Sequence, residues 1–311
     1  MLVSIIIPCY NEELVIHKTY DRVKKVLIDN NIQHEVLFVN DGSHDKTLAL
    51  LTEIATKDKT IKVISFSRNF GHQAAITCGI NKCNGDVAII IDGDLQDPPE
   101  LFPEMIKRHL EEKANVIYMV RKVREGTSLW KKISYKIFYR LLRMLSEHEI
   151  PVDTGDFRLM DRQVINIFNA YPERNKYVRG LISWSGFKQI PFEYKRDARA
   201  DGEPKYTLVK LIKLASTGLL YFSKKPLRLA LNVGLLSIFV GIILALYVFV
   251  SKYYGWAELV PGWSSILVSV VFFGGVQLLT IGVLGEYLGI VFEEVKQRPE
   301  YIIQDKLNME E

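Results

Sequence analysis

Several common functions need features that this sequence lacks. Cysteine is scarce: Cys9, Cys78 and Cys83 are an odd number, and none stands at a metal-ligand spacing. That argues against a disulfide framework or a zinc site and fits reduced thiols in a cytosolic compartment. There is no Gly-x-Gly-x-x-Gly and no Gly-x-x-x-x-Gly-Lys-Ser/Thr, so dinucleotide-fingerprint and P-loop sites lose ground. Charge imbalance is small: 40 basic against 36 acidic residues leave +4, too little to imply nucleic acid as a partner. The chain opens from Met1 straight into an apolar strand, without the basic region and cleavable segment of a signal peptide. Acid is missing from one long stretch. No Asp or Glu occurs from Pro204 through Ala257, while Lys205, Lys210, Lys213, Lys224, Lys225 and Arg228 fall within it. A one-signed stretch beside apolar sequence points to an anionic membrane surface.

The richest stretch present runs from Gly85 to Glu100. Val87–Ile91 is a short, mostly β-branched run, as expected of a strand buried on both faces. It ends in Asp92-Gly93-Asp94. Residues two apart on extended backbone point the same way, so both carboxylates can face one point beyond the strand's C-terminal edge. Ligands bind at that edge in open α/β sheets. Two converging carboxylates repel unless a cation lies between them, and hard oxygen donors suit Mg²⁺ or Mn²⁺ shared with a diphosphate. Upstream, strands at Leu2–Ile7, Glu35–Val39 and Ile61–Ser65 alternate with helical spacing at Leu14–Ile28, Thr47–Thr56 and Gln73–Asn81; a further strand is expected at Val116–Val120. This alternation with short connections predicts a parallel α/β sheet. The polar loops, Cys9–Glu13, Asn40–Ser43 and Arg68–His72, all follow strands, which assembles one site from several loops. Taken alone, Pro8–Glu12 also reads as a strand end and helix cap, and Asp41 as turn chemistry. A nucleotide-sugar site would employ both, with Glu12 and Asp41 accepting from base or ribose.

Beyond Arg121 the sequence turns basic, and Leu129, Ile133, Ile137, Leu141 and Leu145 recur every four residues. This amphipathic helix fits either the surface of the domain or the membrane headgroups. In Val152–Met160, Asp156 and Arg158 fit either a mutual brace or a carboxylate on the acceptor side of the metal site. Leu229–Ser251 and Leu259–Gly285 carry no charged residue. Each exceeds the ~20 residues needed to cross a hydrocarbon core. Lys224, Lys225 and Arg228 before the first and Lys296 and Arg298 after the second place both ends in the cytoplasm. Gly274, Gly275, Gly282, Gly285 and Gly289 would let helices associate closely.

Together these motifs resemble the family-2 inverting glycosyltransferases of the GT-A fold, and within them the polyprenyl-phosphate glycosyltransferases such as bactoprenol glucosyltransferases and dolichyl-phosphate mannose synthases. The resemblance rests on Ile-Pro-Cys-Tyr-Asn-Glu at 7–12, Asn-Asp-Gly-Ser at 40–43, Arg-Asn-Phe-Gly-His at 68–72, Asp-Gly-Asp-Leu-Gln-Asp-Pro-Pro-Glu at 92–100, Thr-Gly-Asp-Phe-Arg-Leu at 154–159 and the paired spans. It implies a Rossmann-like GT-A domain over 1–204, an amphipathic juxtamembrane helix over 205–226, two transmembrane helices over 227–290 and a cytoplasmic tail over 291–311. It further implies that Pro8, Asn11, Glu12 and Asp41 line the nucleotide pocket, that Asp92, Asp94 and Gln96 surround Mg²⁺ or Mn²⁺ and the diphosphate, and that Asp156 is the acceptor-side aspartate. Arg121 and Lys131, Lys132 and Ser134 would hold the lipid phosphate. Arg199 and Lys205 would contact the diphosphate from a loop in which Pro204 replaces the relatives' serine. The implied donor is a UDP-sugar, glucose first, with mannose, N-acetylglucosamine or aminoarabinose derivatives as alternatives; the implied acceptor is undecaprenyl phosphate. The implied setting is the inner membrane, multi-pass, with the catalytic domain and both termini cytoplasmic, as a tetramer. A processive polysaccharide synthase would need more spans and a Gln-x-x-Arg-Trp motif, and a membrane-bound nucleotide-sugar scaffold would bind donor without turnover.

Overall fold

A computed structural model describes residues 1–121, 154–174, 176–194, 225–254 and 262–309. The expected amphipathic helices after Arg121 and across 205–226 lie outside these residues. The chain divides into two units, one holding the sheet and the C-terminal residues from Gln297, the other holding Val209–Lys296 with a short piece of the basic region.

In the first unit the chain builds β1 (Val3–Cys9), α1 (Ile16–Asp29), β2 (His34–Asn40), α2 (Thr47–Lys57), β3 (Ile61–Phe66), α3 (His72–Lys82) and β4 (Val87–Ile90). It continues through α4 (Phe102–Glu112), β5 (Val116–Arg121), β6 (Thr154–Asp161), α5 (Arg162–Ala170), α6 (Val178–Trp184) and β7 (Gln189–Tyr194), and ends in β8 (Ile303–Leu307). The strand order is β7-β5-β6-β4-β1-β2-β3-β8. β1, β2, β3 and β4 run parallel as expected. The sheet as a whole is mixed, however, because β6 is antiparallel to both β4 and β5, and β8 is antiparallel to β3.

The apolar runs explain the centre. Val3, Ile5, Ile6, Ile7, Val36, Leu37, Phe38, Val39, Ile89 and Ile90 are all at most 1% exposed, since helices cover both faces of these strands. Burying each such side chain contributes about 1.5–3 kcal/mol. β1 outruns the expected strand: Pro8 pairs with Val39 and Cys9 with Asn40. All three cysteines are free and buried, matching the expectation of reduced thiols. The tail expected over 291–311 contains β8, whose Ile303 faces Phe66 in register.

One polar brace ties α1 to the α2–β3 connection. Lys24 Nζ lies 2.6 Å from Asp58, and Thr60 donates to the same carboxylate. Burial alone would raise Asp58, yet these partners hold its pKa at about 2. A folded value below the ordinary one means the contribution is complete above pH ~4 and is lost as pH falls toward 2. Lys24→Met is expected to cost ~1–2 kcal/mol at pH 7 and to flatten that part of the acid-unfolding curve, as followed by circular dichroism.

The second unit pairs α7 (Lys225–Tyr254) with α8 (Trp263–Val295). Large apolar side chains such as Leu236, Phe239, Tyr247, Ile266, Val270 and Leu278 are more than half exposed on them. Among the described residues, one stretch, Phe272–Val295 in α8, is long and apolar enough to cross a membrane, and Ala230–Ile243 in α7 is a shorter apolar segment. The apolar stretch of α8 thus ends ten residues later than the uncharged run to Gly285, carrying Glu286 inside the helix.

Candidate functional site

The loops that follow β1, β2, β3 and β4 meet at one edge of the sheet, and hydrogen bonds between loops fix them there. Asn11 adopts φ 53°, donates its N–H to Ser43 Oγ at 3.0 Å and accepts from the His44 N–H at 2.9 Å. The Glu12 N–H donates to Thr47 Oγ1. Asp41, 3% exposed, accepts from the N–H groups of Phe70 at 2.7 Å and Gly71 at 3.0 Å. Its carboxylate therefore ties the β2 loop to the β3–α3 loop. Gly42 makes this possible: its φ is 64°, and a side chain there would collide with the Arg68 backbone.

The Asp92–Asp97 turn is held from several sides. Thr19 Oγ1 donates to the Gly93 carbonyl at 3.0 Å, and Arg22 forks onto Glu100 at 2.7 and 2.8 Å. A Cβ at Gly93 would stand 3.2 Å from the Pro8 carbonyl oxygen, a tight approach, so glycine suits a turn lying this close to β1. Asp94 accepts from the Gln96 N–H at 3.1 Å, and Leu95 between them sits at φ 60°. That conformation costs an L-residue roughly 1–2 kcal/mol, which the surrounding bonds offset. Asp97 is fully buried and accepts from the Tyr194 hydroxyl at the end of β7.

Across from this turn, β6 delivers Asp156. Its side chain is 4% exposed and is gripped by Arg179 of α6, with Nε at 2.7 Å from one oxygen and Nη2 at 2.8 Å from the other. His72 Nε2 lies 3.2 Å from Asp156 and 3.5 Å from Asp92, so one imidazole nitrogen faces two carboxylates. Gln73 adds a contact to Asp156 at 3.4 Å and accepts from the Val178 N–H, joining α3 to α6. Burial alone would raise Asp156, but Arg179 and then His72 hold its pKa well below the carboxylate range. Burial would lower His72; Asp156 and Asp92 raise it instead. Burial pushes Asp92 up to about 6; His72 counters this, while Asp156, Asp97 and Asp94 push it further. The Asp156–Arg158 brace is not what forms. Arg158 donates to the main-chain carbonyls of Gly155 and Asp156, and burial lowers it to about 10.

Of the residues expected at the site, Asn11, Glu12, Asp92, Asp94 and Asp156 lie at this edge. Pro8, Asp41 and Gln96 are buried. Arg121 ends β5, and Lys131, Lys132, Ser134, Arg199 and Lys205 lie outside the described residues. The sequence reading gave no role to His72, Gln73 or Arg179. The signal for a missing cation was the acidic cluster itself, which needs compensating charge; its position on α6 is set by the fold. Among the described residues no three His, Cys, Asp or Glu side chains form a metal cage. The donors present still fit a hard divalent cation, since Mg²⁺-type sites use one or two protein carboxylates and complete their shell with substrate phosphates and water. Burial first, and then the neighbouring carboxylates, push Asp92 up, and a bound cation would offset both by favouring its charged form.

Comparison with known proteins extends this picture. A family model described as "Glycosyl transferase family 2" matches residues 4–168. The chain is 47% identical over 309 residues to the uncharacterized glycosyltransferase YkcC of Bacillus subtilis (strain 168), covering 99% of this chain and 94% of that one. It is 36% identical over 304 residues to the prophage bactoprenol glucosyl transferase homolog of Escherichia coli (strain K12), covering 98% and 99%. Among solved structures, glucosyl-3-phosphoglycerate synthase from Mycobacterium tuberculosis, in complex with Mn²⁺, UDP and phosphoglyceric acid, superposes with a TM-score of 0.50 at 20% identity over 70% of this chain and 76% of that one. The likeness is one of fold.

Proposed function

The chain belongs to glycosyl transferase family 2, and from that footing we propose that it transfers a sugar, glucose first, from a UDP-sugar to a polyprenyl phosphate at a membrane face, inverting the anomeric configuration. The observation that carries this reading is the paired Asp92 and Asp94 at the C-terminal edge of β4, in a chain similar along nearly its whole length to bactoprenol glucosyl transferases. The bactoprenol named in those relatives supports a polyprenyl phosphate, undecaprenyl phosphate first, as acceptor; with it we propose a cytoplasmic catalytic domain, α7 and α8 as spans, and a tetramer.

Asp92 and Asp94 are the accessible oxygen donors for Mg²⁺ or Mn²⁺, since Gln96 is 8% exposed. Such an ion, when bound, neutralises charge on the departing nucleoside diphosphate. Asn11 and Glu12 border the nucleotide, and Arg199 and Lys205 add positive charge to the leaving group. Arg121, Lys131, Lys132 and Ser134 hold the acceptor's phosphate. A phosphate monoester is largely ionised at neutral pH, its second pKa being about 6, so it attacks the anomeric carbon without a strong base. Asp156 suits that chemistry as a positioning group. Doubly bonded to Arg179 and held far below the carboxylate range, it is a poor proton acceptor and a firm anchor for His72.

The test is transfer of radiolabelled sugar to undecaprenyl phosphate in detergent, with a panel of nucleotide sugars. One labelled lipid product is expected, lost with EDTA and restored by Mn²⁺ or Mg²⁺. Donor binding with no lipid product from any donor would overturn the proposal in favour of a binding scaffold.

A further inference from the structure

The residues after α8 do more than end the chain. Tyr301 lies flat on Phe66, ring centroids 5.0 Å apart and planes 10° from parallel. Phe66 meets Phe70 edge-on at 5.8 Å, and Arg68 covers the other ring of that pair at 4.0 Å from the Phe70 centroid. The Phe70 and Gly71 N–H groups are the ones fastened by Asp41, and the next residue is His72, in contact with Asp156 and Asp92. The Tyr301 hydroxyl accepts from Asn81 at 3.0 Å, so Tyr301 holds the back of α3 while its ring holds the loop in front. The backbone follows suit: Ser67 N–H donates to the Ile302 carbonyl at 3.0 Å, and Ile303 packs in the same cluster as Ala74, Ala75 and Cys78. His72, the α3 support of Asp156, thus has this short segment at its root.

We propose that Glu300–Leu307 is a positioning element of the transfer site and that Tyr301 is its principal positioning residue, acting through Phe66 and Phe70 on the placement of His72. The inference rests on the proposed transfer activity for its kinetic consequence, but its geometric content stands apart. Stacked and edge-on rings have specific preferred geometry beyond their burial, so an aliphatic filler cannot reproduce the column. Small displacements at a site carry large rate penalties, and a shift near 1 Å from a remote change can cost ~100-fold.

The experiment compares Tyr301→Phe, Tyr301→Leu and Tyr301→Ala in the full chain, with two readouts: lipid-transfer kinetics, and the His72 imidazole resonance in histidine-labelled protein, assigned with His72→Gln. Tyr301→Phe keeps the ring stack and is expected to hold kcat within about twofold, with His72 unmoved. Tyr301→Leu and Tyr301→Ala are expected to lower kcat on the order of tenfold, to leave the donor KM within about twofold, and to shift the His72 resonance. If Tyr301→Ala does not fold, Tyr301→Leu carries the same expectation with apolar volume retained. An unmoved His72 signal in Tyr301→Leu, or Tyr301→Phe no better than Tyr301→Leu, overturns the proposal. Absence of transfer by the unaltered chain would strike the functional reading alone, because the resonance readout needs no turnover.

Discussion

Arg179→Ala is expected to destabilise the protein by about 3–5 kcal/mol and to abolish transfer. The guanidinium supplies both parallel bonds to Asp156, whose side chain is 4% exposed. Without it a carboxylate is left buried with His72 and Gln73 as its remaining side-chain neighbours, and desolvation then works against the charge. Arg179→Lys keeps the charge but not the planar fork, so an intermediate loss of roughly 1–2 kcal/mol is expected. Chemical denaturation measures the cost. The double variant Asp156→Asn/Arg179→Gln separates fold from function. Removing both charges together should recover much of the stability, since the buried uncompensated ion is gone. Transfer should stay absent if Asp156 positions reacting groups; recovery of transfer along with stability would show that the pair is only a brace.

The second large effect has opposite signs in stability and activity. Asp92→Asn is expected to stabilise the metal-free protein while transfer falls ~10²–10³-fold, the scale on which losing a principal charge-stabilising group is felt. Burial first, and then the charges of Asp156, Asp97 and Asp94, hold Asp92 at about 6 against a lowering pull from His72. A carboxyl raised above its unfolded value costs stability as pH rises from about 4 through 6, so at pH 7 the ionised group is unfavourable in the fold. With the side chain 22% exposed, relief of ~1–2 kcal/mol is a fair expectation after solvent screening. Asp94→Ala is expected to remove the same reactivity and, with it, the bond that the Gln96 N–H donates to Asp94. Thermal melts in EDTA and in Mn²⁺ test this directly. Asp92→Asn should melt higher than the parent in EDTA and lose the parent's gain on adding Mn²⁺. A lower melt in EDTA would mean that Asp92 is a structural support rather than a charge kept for ligand.

What the sequence showed of this site followed local physics. The β-branched run before Asp92 reads as a buried strand, which β4 is; Asp-Gly-Asp after it reads as an edge site or a bland turn, and it lies in the turn that follows β4. The strands that escaped notice lack that signature. β6 carries Asp156, Arg158 and Asp161 along its length, charges made tolerable by Arg179, by backbone carbonyls and by helix capping that local pattern does not reveal. In β8, Ile303 and Leu307 flank three polar residues, Gln304, Asp305 and Lys306, so no period-2 alternation marks it, and a five-residue edge strand takes its meaning from β3, far upstream. Arg179 looked like any basic residue at a helix start. Asp41 was visible as a turn residue and as a site residue, but its N–H partners, Phe70 and Gly71, lie in the β3–α3 loop, a contact that no local pattern reveals.

The pairing of β8 with β3 also dictates an order of events at the ribosome. β3 ends at Phe66, yet its outer neighbour begins at Ile303, and Asn308 closes the seam by donating to the carbonyls of Ala55 and Ile61. At 5–20 residues per second, the strand waits on the order of ten to fifty seconds for its partner. Throughout that interval the β3 edge is open, and both long apolar helices emerge before the seam can shut. Closing so long a loop is entropically slow, and an unpaired edge is a template for intermolecular pairing. The β3 edge of a nascent chain therefore stays open to intermolecular pairing until Ile303–Leu307 has emerged.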